Sequence, residues 1–305
     1  MNGIERARKW YFSTLHPFLE AEFPEVLPRI AAGIAGRGSE CFGFDDDISR
    51  DHDFGTGVSL WLTCGDEEKY GFKLTRAYQK LYSAEYPSSP RSAAGSIDHG
   101  VMRISDFYRR HLGFPHAPET IDEWLSVPES AFAETVNGEV FTDNSGIFTA
   151  IREKILNIPE DILRKKLAFR AVMMAQSGQY NFTRCLKHGE KGAAAVALHE
   201  FVTHAVPLIF LLNNRFAPYY KWMFRAMRQL PVLGELTDLL ESLLVSGLSD
   251  KEKSGVIEDI CAAVIKEFAR RKLSEHPADY LEFHALAITE KIRDRGLREM
   301  HIMAV

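Results

Sequence analysis

Gly38-Ser39-Glu40-Cys41-Phe42-Gly43-Phe44-Asp45-Asp46-Asp47-Ile48-Ser49-Arg50-Asp51-His52-Asp53-Phe54-Gly55 is the stretch on which the reading of this chain turns. Upstream of it, Arg29 to Ser39 is short, apolar and closed by glycines, as a strand leading into a tight loop would be. Downstream, Asp51 to Cys64 alternates with a two-residue period: Val58, Leu60 and Leu62 fall on one face, and Ser59, Trp61 and Thr63 on the other. Two strands thus flank a segment that opens on Gly38 and Ser39 and closes on two aspartates. At a strand end, Gly38 lets backbone N–H groups approach an anion closely, and the Ser39 hydroxyl adds a donor. Asp51 and Asp53, two apart on a strand, aim both carboxylates at one side, whereas His52 points to the other. Paired hard oxygen donors suit magnesium, which keeps several waters and takes one or two carboxylates together with substrate phosphates. Asp45, Asp46 and Asp47 between them read as turn and cap chemistry.

Working outward, Gly65 ends the second strand and Asp66 is placed to cap a helix running to about Tyr82. Lys69, Lys73, Arg76 and Lys80 lie on one face of that helix, a pattern that fits either a solvated surface or a phosphate-facing stripe. Pro87 to Gly95 reads as an exposed loop; Gly100 to Ser105 and Glu139 to Thr142 read as further strands, the second bounded by Asn137-Gly138 and Asp143-Asn144. Before the first strand, Gly3 to Ala32 has helical spacing broken by Pro17, Pro24 and Pro28. From Ile147 onward long helical periods replace the strand signals. The expected fold class is α+β: a small mixed-sheet domain with a helical lead-in over residues 1–150, then an all-helical domain over residues 151–305.

Composition narrows the function classes. A chain of 305 residues that is 46% hydrophobic can bury two modest cores. Its net charge of −5 argues against a DNA or RNA partner, which is usually met by a basic surface, and would sooner draw a cationic small molecule. Cys41, Cys64, Cys185 and Cys261 form no CxxC pair, so they read as reduced thiols of a cytoplasmic protein and not as a zinc site. Glu5, Arg6, Arg8 and Lys9 make the start a first helix instead of a signal peptide. The most apolar stretch, Ala193 to Asn213, is interrupted by His199, Glu200, His204 and Pro207, so no membrane span is expected. His199 and His204 are five apart, not the four of a zinc-protease helix, and diverge on a helical surface. Tyr219, Tyr220 and Trp222 beside Pro218 read as core packing or as an aromatic pocket.

The pattern Gly38-Ser39, a gap filled by Glu40 to Arg50, and Asp51-His52-Asp53 on the next strand resembles the DNA polymerase beta-like nucleotidyltransferase superfamily. Within it, the arrangement looks most like the small-molecule branch that includes the streptomycin- and kanamycin-type aminoglycoside nucleotidyltransferases. It also looks like a bacterial group of unknown function with a Gly-Phe-Asp-Asp insert before Asp-His-Asp. Glu139 to Asp143 with its following helix is similar to the end of the catalytic domain in that branch, and Tyr180 to Arg184 with Lys187 and Lys191 to the start of its helical substrate domain. The resemblance implies an NTP held at Gly38 and Ser39, two Mg2+ ions on Asp51 and Asp53, and a small hydroxylated acceptor. Arg184, Lys187 and Lys191 would hold the triphosphate or form a surface charge cluster. A third carboxylate is expected to take the acceptor's proton. Asp98, Asp106, Glu134 and Glu139 are candidates, with Asp106 preferred because it follows the apolar run Val101 to Ile104. The alternative is a catalytically inactive nucleotide sensor or interaction module of the same fold that has lost the third carboxylate.

Overall fold

The computed structural model describes residues 1–46, 57–86, 99–245 and 247–304. The chain divides into two compact units: Met1–Glu119 with Ala131–Leu156, and Thr120–Ser130 with Asn157–Val305. The excursion at Thr120–Ser130 has no counterpart in the sequence pattern, which places one boundary near residue 150.

The first unit opens with α1 (Gly3–Trp10), whose start is held by a reciprocal bond between Asn2 and Glu5. A π-helical turn at Tyr11–Leu15 leads into α2 (His16–Glu22). Pro17 sits in the first turn of α2, where its missing N–H has no intrahelical partner to lose, so it marks a helix start. There follow β1 (Ala31–Ile34), a 3-10 turn at Ser39–Phe42, β2 (Ser59–Leu62), α3 (Cys64–Glu85), β3 (Gly100–Arg103) and α4 (Ile104–Leu112). Helix α5 (Ile121–Ser126) and the first two residues of α6 (Glu129–Val136) belong to the second unit; the rest of α6, β4 (Glu139–Asp143) and α7 (Ile147–Leu156) complete the first.

Several boundaries differ from expectation: β1 is confined to Ala31–Ile34, so Ser39 lies in a 3-10 turn beyond it, and β2 begins only at Ser59. Helix α3 begins ahead of Asp66 because Thr63 caps it: the Asp66 N–H donates to Thr63 Oγ1 at 3.2 Å, and that hydroxyl donates to Asp66 Oδ2 at 2.7 Å. Strand β3 ends at Arg103, and the apolar run that looked like more strand turns helical at Ile104, an ambiguity that short apolar runs carry.

The four strands form one mixed sheet in the order β3-β2-β1-β4. β1 pairs antiparallel with both β2 and β4, and β2 pairs parallel with β3. Every residue of β2 is buried, so the alternation read from sequence separates two apolar layers, not an inside from an outside. On one side Leu60 and Leu62 join Trp10, Tyr11, Leu19, Leu74 and Tyr78 from the α1, α2 and α3 layer. On the other, Trp61 stacks on Phe148 of α7 with ring centroids 4.0 Å apart and meets Phe107 of α4 edge-on at 5.6 Å.

The second unit is helical: α8 (Glu160–Met174), a π-helix at Ala175–Phe182, α9 (Thr183–Lys187), α10 (Lys191–Leu212), α11 (Tyr220–Met227), α12 (Thr237–Val245), α13 (Asp250–Arg270), α14 (Leu281–Glu290) and α15 (Arg295–Glu299). Helix α10 is largely apolar, most fully in its second half, and packs on α8, the π-helix, α9, α11 and α12. Its length and hydropathy would suit a membrane span, yet 67% of its apolar window is buried within the protein. Gly178 lets Phe201 of α10 lie against the π-helix, where an added Cβ would stand 2.3 Å from the ring. Tyr219 and Tyr220 are 52% and 68% exposed, so neither is a core residue.

Of the loop aspartates, Asp45 acts as a cap, and Asp47 lies outside the described residues. Asp45 Oδ1 accepts from the Gly3 N–H at 2.8 Å, and its Oδ2 pairs with Arg6 Nη2 at 2.7 Å, tying the loop to the start of α1. Burial opposes ionisation of Asp45, but the Gly3 N–H and the Arg6 guanidinium outweigh it and hold the carboxyl below its ordinary value of 3.8. A carboxyl depressed in the folded state stabilises the protein above its unfolded pKa and loses that contribution as pH falls through the folded value. Asp45→Asn is therefore expected to cost about 1–2 kcal/mol at neutral pH. In urea denaturation the gap to the parent should begin to close below about pH 4 and vanish at lower pH.

Candidate functional site

The site is assembled at one end of the sheet by strand direction. Because β1 and β2 are antiparallel, with Gly33 opposite Ser59, the chain leaves β1 at the end where it enters β2. β3 runs parallel to β2, with Gly100 opposite Ser59, so its start lies at that end too. β4 begins there as well, with Glu139 opposite Ile34. The exit of β1 and the entries of the other three strands thus meet at one edge.

The exit loop of β1 is shaped by glycines and held by a distant amide. Gly36 has a φ of 134°, which an L side chain rarely adopts. Its N–H donates to Asn137 Oδ1 at 2.9 Å, and its carbonyl accepts from Asn137 Nδ2 at 2.6 Å. Gly138, at φ 64°, brings its backbone against Ile34, where a Cβ would stand 1.9 Å from the carbonyl oxygen. Asn137 is itself fixed by Arg152 of α7, which donates to the carbonyls of Thr135 at 3.1 Å, Val136 at 2.8 Å and Asn137 at 2.9 Å. These are the open carbonyls at the end of α6. Burial lowers the Arg152 pKa, with the Tyr108 and Cys41 groups opposing it, yet a guanidinium stays charged.

Gly38 caps the 3-10 turn that carries Ser39, and Glu40 folds back over it: a Cβ on Gly38 would lie 2.0 Å from Glu40 Oε1. The same carboxylate faces His99 Nε2 at 3.6 Å, and both side chains are mostly buried. His99 lies directly before β3 and packs on Gly57, where a Cβ would stand 2.2 Å from its ring. Among the described residues, His99 Nδ1 is buried with no hydrogen-bond partner. Gly38, Ser39, Glu40, Gly57 and His99 therefore converge.

Several residues singled out by sequence stand elsewhere. Asp51, Asp53 and Asp98 lie outside the described residues. Asp106 does not join the cluster. It sits in the first turn of α4, beyond the far end of β3, half-exposed and paired with Arg109 Nη1 at 3.2 Å. β3 alone separates it from the Gly38 edge by roughly 10 Å. Glu134, on α6, accepts from Arg37 Nε at 3.3 Å and meets His111 Nδ1 at 2.9 Å. Glu139 is at the right edge but is engaged by Arg8 through two bonds. Arg184, Lys187 and Lys191 belong to the second unit and are exposed; Arg184 Nη1 donates to the Tyr180 hydroxyl at 2.7 Å. Lys69, Lys73, Arg76 and Lys80 are all exposed along α3.

Glu40, His99, Asn137 and Arg152 were not singled out by sequence as site residues. Only Asn137 left a trace, as the first half of an Asn-Gly turn signal. Among the described residues, no group of three or more His, Cys, Asp or Glu side chains could hold a metal ion. Glu40 supplies one carboxylate beside the loop, and that carboxylate occupies the space left by the missing Cβ of Gly38.

The fold and loop define an α+β protein with a glycine-shaped loop at the meeting edge of a mixed sheet and a helical second unit. Residues 124–223 match the family described as "Domain of unknown function (DUF4037)". No curated protein matches. A nucleotidyltransferase-like protein of known crystal structure, from Exiguobacterium sibiricum 255-15, is similar over 90% of this chain and 90% of its own, at 12% identity and a TM-score of 0.36.

The two-way bond from Asn137 to Gly36 needs a side chain that both donates and accepts. Asn137→Ala should lower stability by about 1–3 kcal/mol, and Asn137→Asp, which keeps the acceptor but loses the donor, should recover little of it. Chemical denaturation of the three proteins at neutral pH checks this; full recovery by aspartate would show that the donated bond to the Gly36 carbonyl contributes nothing.

Proposed function

We propose that this chain is a magnesium-dependent nucleotidyltransferase that moves a nucleoside monophosphate from an NTP to a hydroxyl of a small molecule. The observation that carries the reading is the meeting edge itself. Strand direction brings the Gly38-Ser39 loop to the edge at which the chain re-enters the sheet after the segment containing Asp51 and Asp53. An anion-binding loop and paired carboxylates are the parts that in-line phosphoryl chemistry needs.

In this reading the loop backbone and Ser39 hold the triphosphate, while Asp51 and Asp53 hold Mg2+. When bound, the metal would neutralise charge on the phosphates and on the departing pyrophosphate. The acceptor oxygen forms a bond to the α-phosphorus, the bond to pyrophosphate breaks, and the acceptor's proton passes to a carboxylate. Asp106 is set aside for that role by its place at the opposite end of β3. Asp98 takes its place as the candidate, since it directly precedes His99, which stands at the site edge. A net charge of −5 favours a small acceptor over a nucleic acid.

The test separates binding from chemistry. Asp51→Asn with Asp53→Asn should leave the fold intact and abolish magnesium-dependent NTP binding, read by calorimetry. Asp98→Asn should retain binding and lose transfer, read as pyrophosphate release in an acceptor screen. Unchanged NTP binding in the double variant would sink the metal assignment. Full transfer by Asp98→Asn would remove that residue from the mechanism.

A further inference from the structure

We infer that the second unit carries its own binding cleft, between the π-helix and α10, for a compact ligand bearing a protonated amine. This goes beyond the nucleotidyl-transfer reading and does not depend on it.

A cleft of about 250 Å³ opens where the π-helix, α9 and the start of α10 meet. The π-helix supplies Gln176 and Asn181 to it. Residues five apart stand nearly over one another when backbone bonds run from i to i+5, whereas at 3.6 residues per turn they would diverge by roughly 140°. The wide turn is thus what puts two amide side chains on the same wall. Single π-turns cost regular hydrogen bonding and recur at functional sites for this reason. The opposite wall is apolar, with Val196 and Ala197 of α10, and Cys185 of α9 closes one side.

Glu200 of α10 gives the cleft its charge, and a buried relay keeps that charge from being cancelled. Arg170 Nη1 approaches His204 Nδ1 at 2.9 Å, and His204 Nε2 approaches Glu200 Oε1 at 3.0 Å. An arginine can only donate, so Nδ1 accepts and the imidazole carries its single proton on Nε2, donated to Glu200. Burial first, and Arg170 next, lower the His204 pKa against the opposite pull of Glu200 and Glu129, in keeping with that neutral tautomer. Arg170 has its own counter-charge, since its Nη2 donates to Glu129 Oε1 at 3.0 Å. Glu200 therefore lines the cleft, oriented by the bond from His204. No lysine or arginine lines the cleft. One carboxylate, two amides and an apolar wall select a small cation with a short hydrocarbon part over an anion or a neutral polyol.

Cys185 provides the readout. Cys41 and Cys261 are buried, and Cys64 is exposed, so Cys64→Ser leaves Cys185 as the accessible thiol. In that background, the rate of Cys185 modification by neutral dipyridyl disulfide is measured with propanediamine and with propanediol, at matched ionic strength. The diamine is expected to slow the reaction by about fivefold or more at saturation, and the diol to leave it unchanged. Glu200→Gln is expected to remove the diamine's effect, so that its own rates with and without diamine become equal. Equal rates with diamine and diol in the parent background would overturn the proposal without recourse to any further variant. So would diamine protection that survives in Glu200→Gln.

Discussion

The hydrogen-bonded clasp between the Asn137 side chain and the Gly36 backbone is the constraint on which the arrangement of the first unit depends. Gly36 turns the chain out of β1 with a backbone conformation that only glycine adopts cheaply, and such a turn has no ladder bonds of its own. Asn137 supplies both missing partners from residues far along the chain. Its own position is not left free, because Arg152 binds three successive carbonyls at the end of α6 and so fixes the point from which Asn137 reaches. A buried guanidinium thus holds an amide, the amide holds a glycine turn, and the turn presents Gly38 and Ser39.

Strand direction does the rest. Four short strands can place only their ends at an edge, and here one exit and three entries share it. Both faces of the sheet are filled, by Leu60 and Leu62 against the α1 to α3 layer and by Trp61 against Phe148 and Phe107. The faces being occupied, the edge is where loop chemistry is accessible, as is common for sites built on sheet scaffolds. Glu40 and His99 show what that arrangement can do: residues distant in sequence stand side by side, the first in the space left by the missing Cβ of Gly38 and the second in that of Gly57.

Local signals were legible in the sequence, and interactions across the chain were not. The α+β class and the helical second half followed from periodicity, which is decided within a few neighbours, whereas Gly38 and Ser39, read as the end of a strand, open a 3-10 turn beyond β1. Thr63 displaced Asp66 as the cap of α3 since two adjacent residues could both serve. The run Val101 to Ile104 was apolar enough for strand or helix, and the wrong choice carried Asp106 with it to the far end of β3. The roles of Asn137, Arg152 and His99 arise only after β4 has paired with β1 and β3 with β2, so no window of sequence contains them. The π-helix was equally hidden: Ser177-Gly178-Gln179 reads as a turn closing a helix at Gly178, whereas the chain continues as a π-helix over Ala175–Phe182 whose i to i+5 bonding aligns Gln176 with Asn181.

The central claim, that the Gly38 edge holds a magnesium–nucleotide complex, is tested most directly by thermal denaturation of the whole chain with ATP, GTP, CTP and UTP, each with and without magnesium. A ligand that binds only the folded state raises the melting temperature. The account predicts a rise that requires magnesium for at least one of the four triphosphates. The absence of a rise with all four, at concentrations well above those typical of nucleotide sites, would contradict it.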